Sequence, residues 1–283
     1  MMDHLPQRVV RWRAAAGALL IVLVLTQGCA NLSAVREFAN ISTESAQYTR
    51  LVDDYVEWPT SQKRYQPPDQ YALLDHIARD RAAQRERLLL YHALIEEYMD
   101  ALGRLAADEV VVYDKELDAL GNAAKEKKFA DAKEAGAFTA VAKVLVKGAT
   151  DRWRQKQLKE LIATSNEPFR VVVNSLRDIV EKGFAGDLLD ETAAIQSYYR
   201  TLIRDSRDKA GIAALEEWRD LHLAGVDTQA KAIELYLRIL KKIGEGHQKL
   251  YDGRNDLSKE LLVRDMNRYS RDLKLLFNTI RTL

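Results

Sequence analysis

The stretch "DQYALLDHIARDRAAQRERLLLYHALIEEYMDALGRL", residues 69–105, decides the fold class of this chain. Apolar side chains recur in it at three- and four-residue steps, which is the spacing of one face of an α-helix. No proline interrupts the chain from Asp69 to about Gly121, so the pattern allows a helix of about 75 Å at 1.5 Å per residue. We expect Asp69 to cap its start, and Gly103 and the β-branched run 110–112 to be its weak points.

The same periodicity continues on both sides of this stretch. One helix is predicted from about residue 34 to Trp58, because Pro59 opens the polar connector "PTSQKRYQPP", and its prolines cannot continue a helix. A further helix is predicted to start at Asn166, with Pro168 in its first turn, where the missing N–H costs nothing.

Glycines mark the predicted interruptions in the second half of the chain. Gly183 and Gly186 are expected to kink or break the helix that follows Pro168. The next helix is expected to begin after Gly211 and to break at Gly225, and a further one is expected to end at Asp252-Gly253. A last helix is predicted with its cap near Asn255 or Asp256.

The segment "AGAFTAVAKVLVKGA", residues 135–149, differs from the rest in its lack of polar side chains. Thr139, Lys143 and Lys147 lie four residues apart and therefore share one stripe of a helix, while the other faces are small or apolar. This pattern favours a helix packed against several neighbours. The alternative is a membrane-inserting or lipid-contacting segment, as in helical pore-forming toxins, although about fourteen residues are too few to span a bilayer.

The composition supports an all-α protein. Only 5 prolines and 13 glycines occur in 283 residues, and we find no alternating apolar and polar run long enough to propose a sheet. The predicted architecture is an elongated antiparallel helical bundle of five to seven helices, several of them long, with a pure coiled coil as the second choice. The formal net charge of +1 gives no electrostatic footprint for nucleic acid.

The N-terminus has the organisation of a secretory signal. Three arginines (Arg8, Arg11 and Arg13) precede an uncharged apolar run over residues 14–25, which is shorter than the roughly 20 residues of a spanning helix. We therefore predict a signal peptide over 1–28 and a helical bundle domain over 29–283, with a possible internal boundary near 122–135. An uncleaved N-terminal anchor is the alternative.

Gly28 and Cys29, placed directly after this apolar run, resemble the lipobox of bacterial lipoproteins, although Thr26 and Gln27 depart from the usual box. The resemblance implies cleavage between Gly28 and Cys29 and acylation of Cys29, the only cysteine in the chain. Ala30 after the cysteine implies export to the outer membrane, facing the periplasm. Several acyl chains would hold the protein stably on the bilayer.

Catalytic signatures are scarce in the sequence. His92 and Glu96, one helical turn apart, are weak candidates for a metal site of the kind found in helical bundles. The group formed by His76 with Asp75 and Asp80 is similar, and surface or satisfied core histidines explain all of these positions more simply. No cofactor or catalytic residue is predicted, and no nucleophile motif or phosphate-binding loop is present.

Three functions follow from these observations. The first is a non-enzymatic, lipid-anchored helical scaffold or binding module that engages another envelope or secreted protein, either as a secretion or cell-wall accessory or as a protector that captures a toxin. The second is a binder of lipids or other apolar ligands built around residues 135–149. The third is a metal-dependent bundle enzyme that uses His92 and Glu96.

Overall fold

The computed structural model describes residues 32–111 and 132–283, and within these ranges the chain forms α-helices and no β-strand. The all-α helical bundle predicted from the sequence is confirmed. Eight α-helices lie in the described ranges: α1 Ser33–Ala46, α2 Arg50–Gln62, α3 Tyr71–Ala106, α4 Ala132–Thr150, α5 Leu158–Ile179, α6 Ala185–Asp205, α7 Lys209–Asp252 and α8 Glu260–Ile280.

Two long antiparallel rods form the axis of the molecule. One is α7, whose 44 residues extend about 66 Å. The other consists of α5 and α6, which a single π-helical turn at Val180–Phe184 joins. A π-helical turn inserts an extra residue into the helix, and Gly183 lies within this one. The interruption expected at Gly183 is therefore confirmed as a local change of helical pitch.

The remaining helices cover one half of these rods. Helix α1 packs against α3 and α8, α8 packs against α7, and α4 packs against α5 and α3. The contacts enclose one continuous apolar core, whose largest fully buried side chains include Phe38, Leu94, Tyr98, Phe138, Phe169 and Tyr236. Helix α2 lies further along the rods and packs against α3, with a small contact to α6.

The first predicted helix is two helices, and the predicted stop at Pro59 is wrong. The chain breaks at residues 47–49, between α1 and α2, and α2 then continues through Pro59 to Gln62. Proline removes the N–H that would bond to the carbonyl oxygen four residues earlier, which belongs to Tyr55. Arg81 Nη1 donates a hydrogen bond to that oxygen at 3.0 Å, so the proline is tolerated inside the helix.

The long helix predicted from residue 69 is shorter at both ends. A 3₁₀ turn at Pro68–Gln70 precedes it, so Asp69 is not its cap. Helix α3 ends at Ala106, between the two weak points, and Asp108 follows with a φ of 58°. This left-handed conformation is uncommon outside glycine and does not continue the helix. The expected extension towards Gly121 and the possible boundary near 122–135 lie mostly outside the described residues.

Three of the predicted helix boundaries fall inside continuous helices, since α7 begins at Lys209 and the start predicted after Gly211 is therefore wrong as well. Helix α5 begins at Leu158 and passes through Asn166 and Pro168. The side chain of Asn166 is buried and hydrogen-bonded to His247 of α7, so it does not cap a helix start. Helix α7 continues through Gly225 without a break. Single glycines lower helix stability by about 1 kcal/mol, which the length and packing of α7 outweigh.

Helix α8 also begins later than predicted, at Glu260 rather than near Asn255 or Asp256. Asp256 accepts hydrogen bonds from the backbone and side chain of Ser258, at 3.2 and 2.7 Å, so it stabilises a turn and not a helix start.

The apolar segment 135–149 forms a core helix, as the sequence favours. Helix α4 buries Phe138, Val141 and Leu145 against α5 and α3, while Lys143 and Lys147 remain exposed on one stripe. In the part of the chain that the structure describes, no helix is both long enough and apolar enough to cross a bilayer.

Candidate interaction surface

The residues predicted to carry the lipid, Gly28 and Cys29, lie outside the described part of the chain. The weak metal candidates lie at the junction of α1 and α2. His92 is buried, and its Nδ1 donates to the carbonyl oxygen of Ala46 at 3.0 Å. Burial lowers the pKa of His92 to about 4, so the ring is neutral. Glu96 accepts a hydrogen bond from Gln47 Nε2 at 2.6 Å.

These two side chains therefore support the break between α1 and α2. His92 satisfies the last carbonyl of α1, and its ring stacks on Tyr236 of α7 with 5.6 Å between centroids. Over residues 32–111 and 132–283, no three His, Cys, Asp or Glu side chains come together as a metal site would require. His76 forms only an exposed ion pair with Asp80, at 3.4 Å.

His247 belongs to a second buried network, between α3, α5 and α7. Its Nε2 accepts from the hydroxyl of Tyr98 at 2.5 Å, and its Nδ1 donates to Asn166 Oδ1 at 3.1 Å. Ser165 Oγ lies 2.7 Å from the same hydroxyl. Burial lowers the pKa of His247 to about 3. Every ring nitrogen is used, so this histidine is a structural core residue.

The outer end of the α6–α7 pair, residues 200–225, is a long exposed part of the molecule, and we call it the arm. All of these residues are described, and none of them is buried. Burial on α7 begins at Val226 and on α6 ends at Tyr199. The two helices of the arm thus pack on each other without a covering layer, unlike the rest of the bundle.

Local sequence explains the turn at the tip of the arm. Helix α6 ends at Asp205, and Ser206 adopts an extended conformation with ψ of 143°. Asp208 then caps α7, because its carboxylate accepts hydrogen bonds from Ala210 N and Gly211 N, at 3.3 and 2.8 Å. A Cβ at Gly211 would lie 3.0 Å from the capping Oδ2, so glycine permits this close approach.

The base of the arm is fixed by aromatic contacts with the end of α2. Tyr65 packs edge-on against Tyr198 and His222, with centroid distances of 5.8 and 5.7 Å. His222 also approaches Arg64 Nη1, at 3.3 Å, and the Tyr199 hydroxyl, at 3.2 Å. Beyond this contact the arm projects without support from other described helices.

One side of the arm carries a groove of about 580 Å³ between α6 and α7. It is lined by Gln196, Arg200, Ile203, Arg204, Arg219, Asp220 and Leu223. The lining combines apolar side chains with three guanidinium groups and one carboxylate. Arg204 and Arg219 each contact a neighbouring aspartate at 2.9 Å, but such exposed pairs are weak. The guanidinium groups therefore remain suited to bind carboxylates of another molecule.

The other side of the arm exposes large apolar side chains of α7. Trp218 is 55% and Leu221 is 67% exposed. Large apolar side chains left in water near one another are typical of interaction surfaces, and tryptophan and arginine are enriched where proteins bind each other.

The arm lies at the end of the molecule opposite to the start of α1. Arg36 of α1 pairs with Glu109 at 3.9 Å, just after the end of α3, and Gly246, near the C-terminal end of α7, faces Phe38 of α1. Helix α7 runs from this end to the tip of the arm, so about 55 Å separate Gly246 from Lys209 at 1.5 Å per residue.

The groove is not predicted from the sequence. Its arginines lie among acidic residues in the sequence, and this pattern is typical of an ordinary solvent-exposed helix face. Comparison with protein-family models, curated proteins and solved structures finds no match for this chain.

Proposed function

We propose that this protein is a lipid-anchored, periplasm-facing helical binding module of the bacterial cell envelope, without enzymatic activity. Its anchor would be the acylated Cys29, and its binding element would be the arm. The observation that carries the proposal is the arm itself: two uncovered helices with an arginine-lined groove, at the end of the molecule farthest from the first described helix.

The position of Cys29 relative to the fold supports this arrangement. Helix α1 begins at Ser33, four residues after Cys29, and four residues of chain span at most about 14 Å. An acyl group on Cys29 would therefore hold the start of α1 close to the bilayer surface. Because the arm lies at the opposite end of α7, it would then extend away from the membrane.

The chemistry of the groove supports a particular kind of partner. Arg200, Arg204 and Arg219 can form paired hydrogen bonds with carboxylates, while Ile203 and Leu223 can receive apolar side chains. A segment of another envelope or secreted protein with acidic and apolar residues fits both features. The proposal covers both a secretion or cell-wall accessory and a protector that captures a toxin.

The anchor is tested by membrane fractionation of cells that express the full chain. We expect the natural chain to be processed and membrane-bound, and Cys29→Ser to accumulate as a larger precursor that lacks the lipid, detected by labelling with a fatty-acid probe. A Cys29→Ser protein of unchanged size in the membrane fraction would contradict the lipoprotein assignment.

The binding element is tested by a photo-crosslinker placed at Thr201, which is exposed on α6 beside the groove. We expect a specific crosslinked protein that disappears when Arg200→Glu and Arg219→Glu are introduced together and weakens at high salt. The matched control places the crosslinker at Lys143, exposed on α4. Equal crosslinking at both positions, or a product unaffected by the charge reversal, would exclude the groove as the binding element.

A further inference from the structure

The outer face of α8 carries a row of positive charge. Its members follow each other at steps of three, four, three and four residues, which places them on one face of the helix: Leu261, Arg264, Arg268, Arg271 and Leu275. All five are exposed to solvent. The row extends about 21 Å along the helix and consists of three guanidinium groups between two leucines, which are 54% and 70% exposed.

No exposed acidic residue balances this row on α8. The exposed charged side chains between residues 261 and 283 are all basic: Arg264, Arg268, Arg271, Lys274 and Arg281. The two acids of the same stretch are partly buried and already paired, Asp265 with Arg268 at 3.1 Å and Asp272 with Lys242 of α7 at 2.8 Å. The chain as a whole has 43 basic and 42 acidic residues, so this face departs locally from a balanced charge and attracts negatively charged groups.

The guanidinium groups of the row are available to another molecule. Among the described residues, no side chain forms a hydrogen bond or an ion pair with Arg264 or Arg271. Arg268 pairs with Asp265, but the arginine side chain is 56% exposed, and exposed pairs of this kind are weak. Because a guanidinium group binds a carboxylate through two parallel hydrogen bonds, the row can hold up to three carboxylates.

The row runs parallel to the long rods of the molecule. Lys242 of α7 pairs with Asp272, and Gly253, just after the end of α7, faces Leu262. Helix α8 therefore runs antiparallel to α7 along its C-terminal part, in the covered half of the bundle and apart from the arm. In the upright arrangement proposed above, the row stands at a steep angle to the bilayer, so a lipid surface does not fit it.

The spacing of the row selects a helix as the occupant. A helix that lies along α8 presents its own facing side chains at the same three- and four-residue steps. Carboxylates on one face of such a helix can reach all three guanidinium groups, and apolar side chains at its two ends can contact the exposed leucines. Arginine clusters are a recurrent means of recognising acidic segments, and complementary charge also speeds association.

We propose that the outer face of α8 binds an acidic helix of another protein. Carboxylates of that helix face the three arginines of the row, and its apolar side chains face the two leucines. The surface is separate from the groove of the arm, so a partner bound here leaves the groove open. The inference goes beyond the proposed function, and only the exclusion of a lipid surface rests on the proposed anchor.

The probe is a synthetic fifteen-residue helical peptide, stapled on its far side, with leucines at its first and last positions and glutamates at its fourth, eighth and eleventh. It repeats the spacing of the row with the opposite charge. Its affinity for the full chain in a mild non-ionic detergent is measured by fluorescence anisotropy. We expect binding that weakens at least about tenfold when Arg264→Glu and Arg271→Glu are introduced together, since attraction becomes repulsion, and that also weakens at high salt.

The matched control changes the net charge equally elsewhere. Lys143→Glu with Lys159→Glu, at exposed positions of α4 and α5, should alter the affinity by less than about twofold. Leu275→Ser should weaken binding about threefold, because it removes an apolar contact. Circular dichroism should show an unchanged helix content for every variant, because all of these side chains are exposed.

Three outcomes would overturn the proposal. Equal binding of a peptide with the same composition, but with its glutamates spread around the helix, would mean that no helix face is recognised. Equal losses for the two double variants would mean that net charge alone acts. Displacement of the peptide by phosphatidylglycerol added to the micelles, but not by phosphatidylcholine, would assign the face to a lipid surface. The arm is unaltered in all of these variants, so the crosslink from Thr201 tests the proposed function separately.

Discussion

Arg81 of α3 donates a hydrogen bond to the carbonyl oxygen of Tyr55, at 3.0 Å, and so replaces the helical donor that Pro59 removes from α2. The same guanidinium forms two hydrogen bonds to Asp187 of α6, at 2.6 and 2.7 Å. It also lies over the ring of Tyr55, 4.2 Å from the centroid. One side chain therefore ties α2, α3 and α6 together below the arm.

We predict that Arg81→Met lowers the free energy of unfolding by about 2–4 kcal/mol, because it leaves the largely buried Asp187 carboxylate unpaired and the Tyr55 carbonyl without a donor. Urea unfolding followed by circular dichroism measures the change. In a Pro59→Ala background, a backbone N–H is available again for Tyr55, so the loss should shrink by about 0.5–1.5 kcal/mol.

Arg85 is the matched control for this prediction. It pairs with Asp53 of α2 at 2.7 Å, but both side chains are about half exposed. Arg85→Met should therefore cost less than about 1 kcal/mol and should not depend on residue 59. Equal losses for the two arginine variants, or no coupling between Arg81 and Pro59, would contradict the assigned role.

Two glycines of α7 should respond oppositely to alanine. A Cβ at Gly246 would overlap the ring of Phe38 of α1, which is fully buried, whereas a Cβ at Gly244 would meet Val173 at an ordinary 3.6 Å. Gly246→Ala should destabilise the protein by about 1–3 kcal/mol. Gly244→Ala should stabilise it by up to about 1 kcal/mol through helix propensity.

Thermal and urea unfolding of the two alanine variants provide this test. Because the two positions are two residues apart in the same helix, they share backbone context and differ in what their Cβ atoms meet. Similar changes at both would mean that Phe38 and α7 do not approach as closely as the structure shows.

The buried histidines make the fold sensitive to acid. The pKa of His247 is about 3 in the folded chain, against an ordinary value of 6.5, so the unfolded chain binds more protons below pH 6.5. Stability must then fall as the pH drops. The His247→Gln variant lacks this contribution. On going from pH 7.5 to pH 4.5, the free energy of unfolding of the natural chain should therefore fall by about 2–3 kcal/mol more than that of the variant.

The control for the acid response is His76→Gln, since this side chain is 64% exposed. Because the side chain is largely in solvent, His76→Gln should change the free energy of unfolding at pH 7.5 by less than about 0.5 kcal/mol. Parallel curves for the His247→Gln variant and the natural chain would show that His247 is not held neutral by burial.

A pair of tryptophans tests whether the arm contributes to folding. Trp153 is 4% exposed and packs against Gly148 at the turn between α4 and α5, whereas Trp218 is 55% exposed on the arm. Trp153→Ala should cost about 3–5 kcal/mol, and Trp218→Ala should change stability by less than about 0.5 kcal/mol. A large loss for Trp218→Ala would mean that it is a folding residue rather than part of an interaction surface.

The sequence by itself determined the all-α class, the core character of residues 135–149 and the interruption near Gly183. These features depend on side chains close together in the chain, where a period of 3.6 residues and the properties of glycine act locally. The identification of Cys29 as a lipid site also comes from the sequence alone, and it remains a prediction.

The tertiary structure decided where the helices end and which surface is free. Pro59 and Pro168 lie inside helices, and at Pro59 the replacement donor, Arg81, comes from another helix, which no local pattern reveals. Asn166 is a core residue because His247 lies 81 positions later in the chain and opposite to it in space. The arm is exposed because α2 ends at its base, so only the packing of distant segments shows that Trp218 and Leu221 are exposed rather than buried.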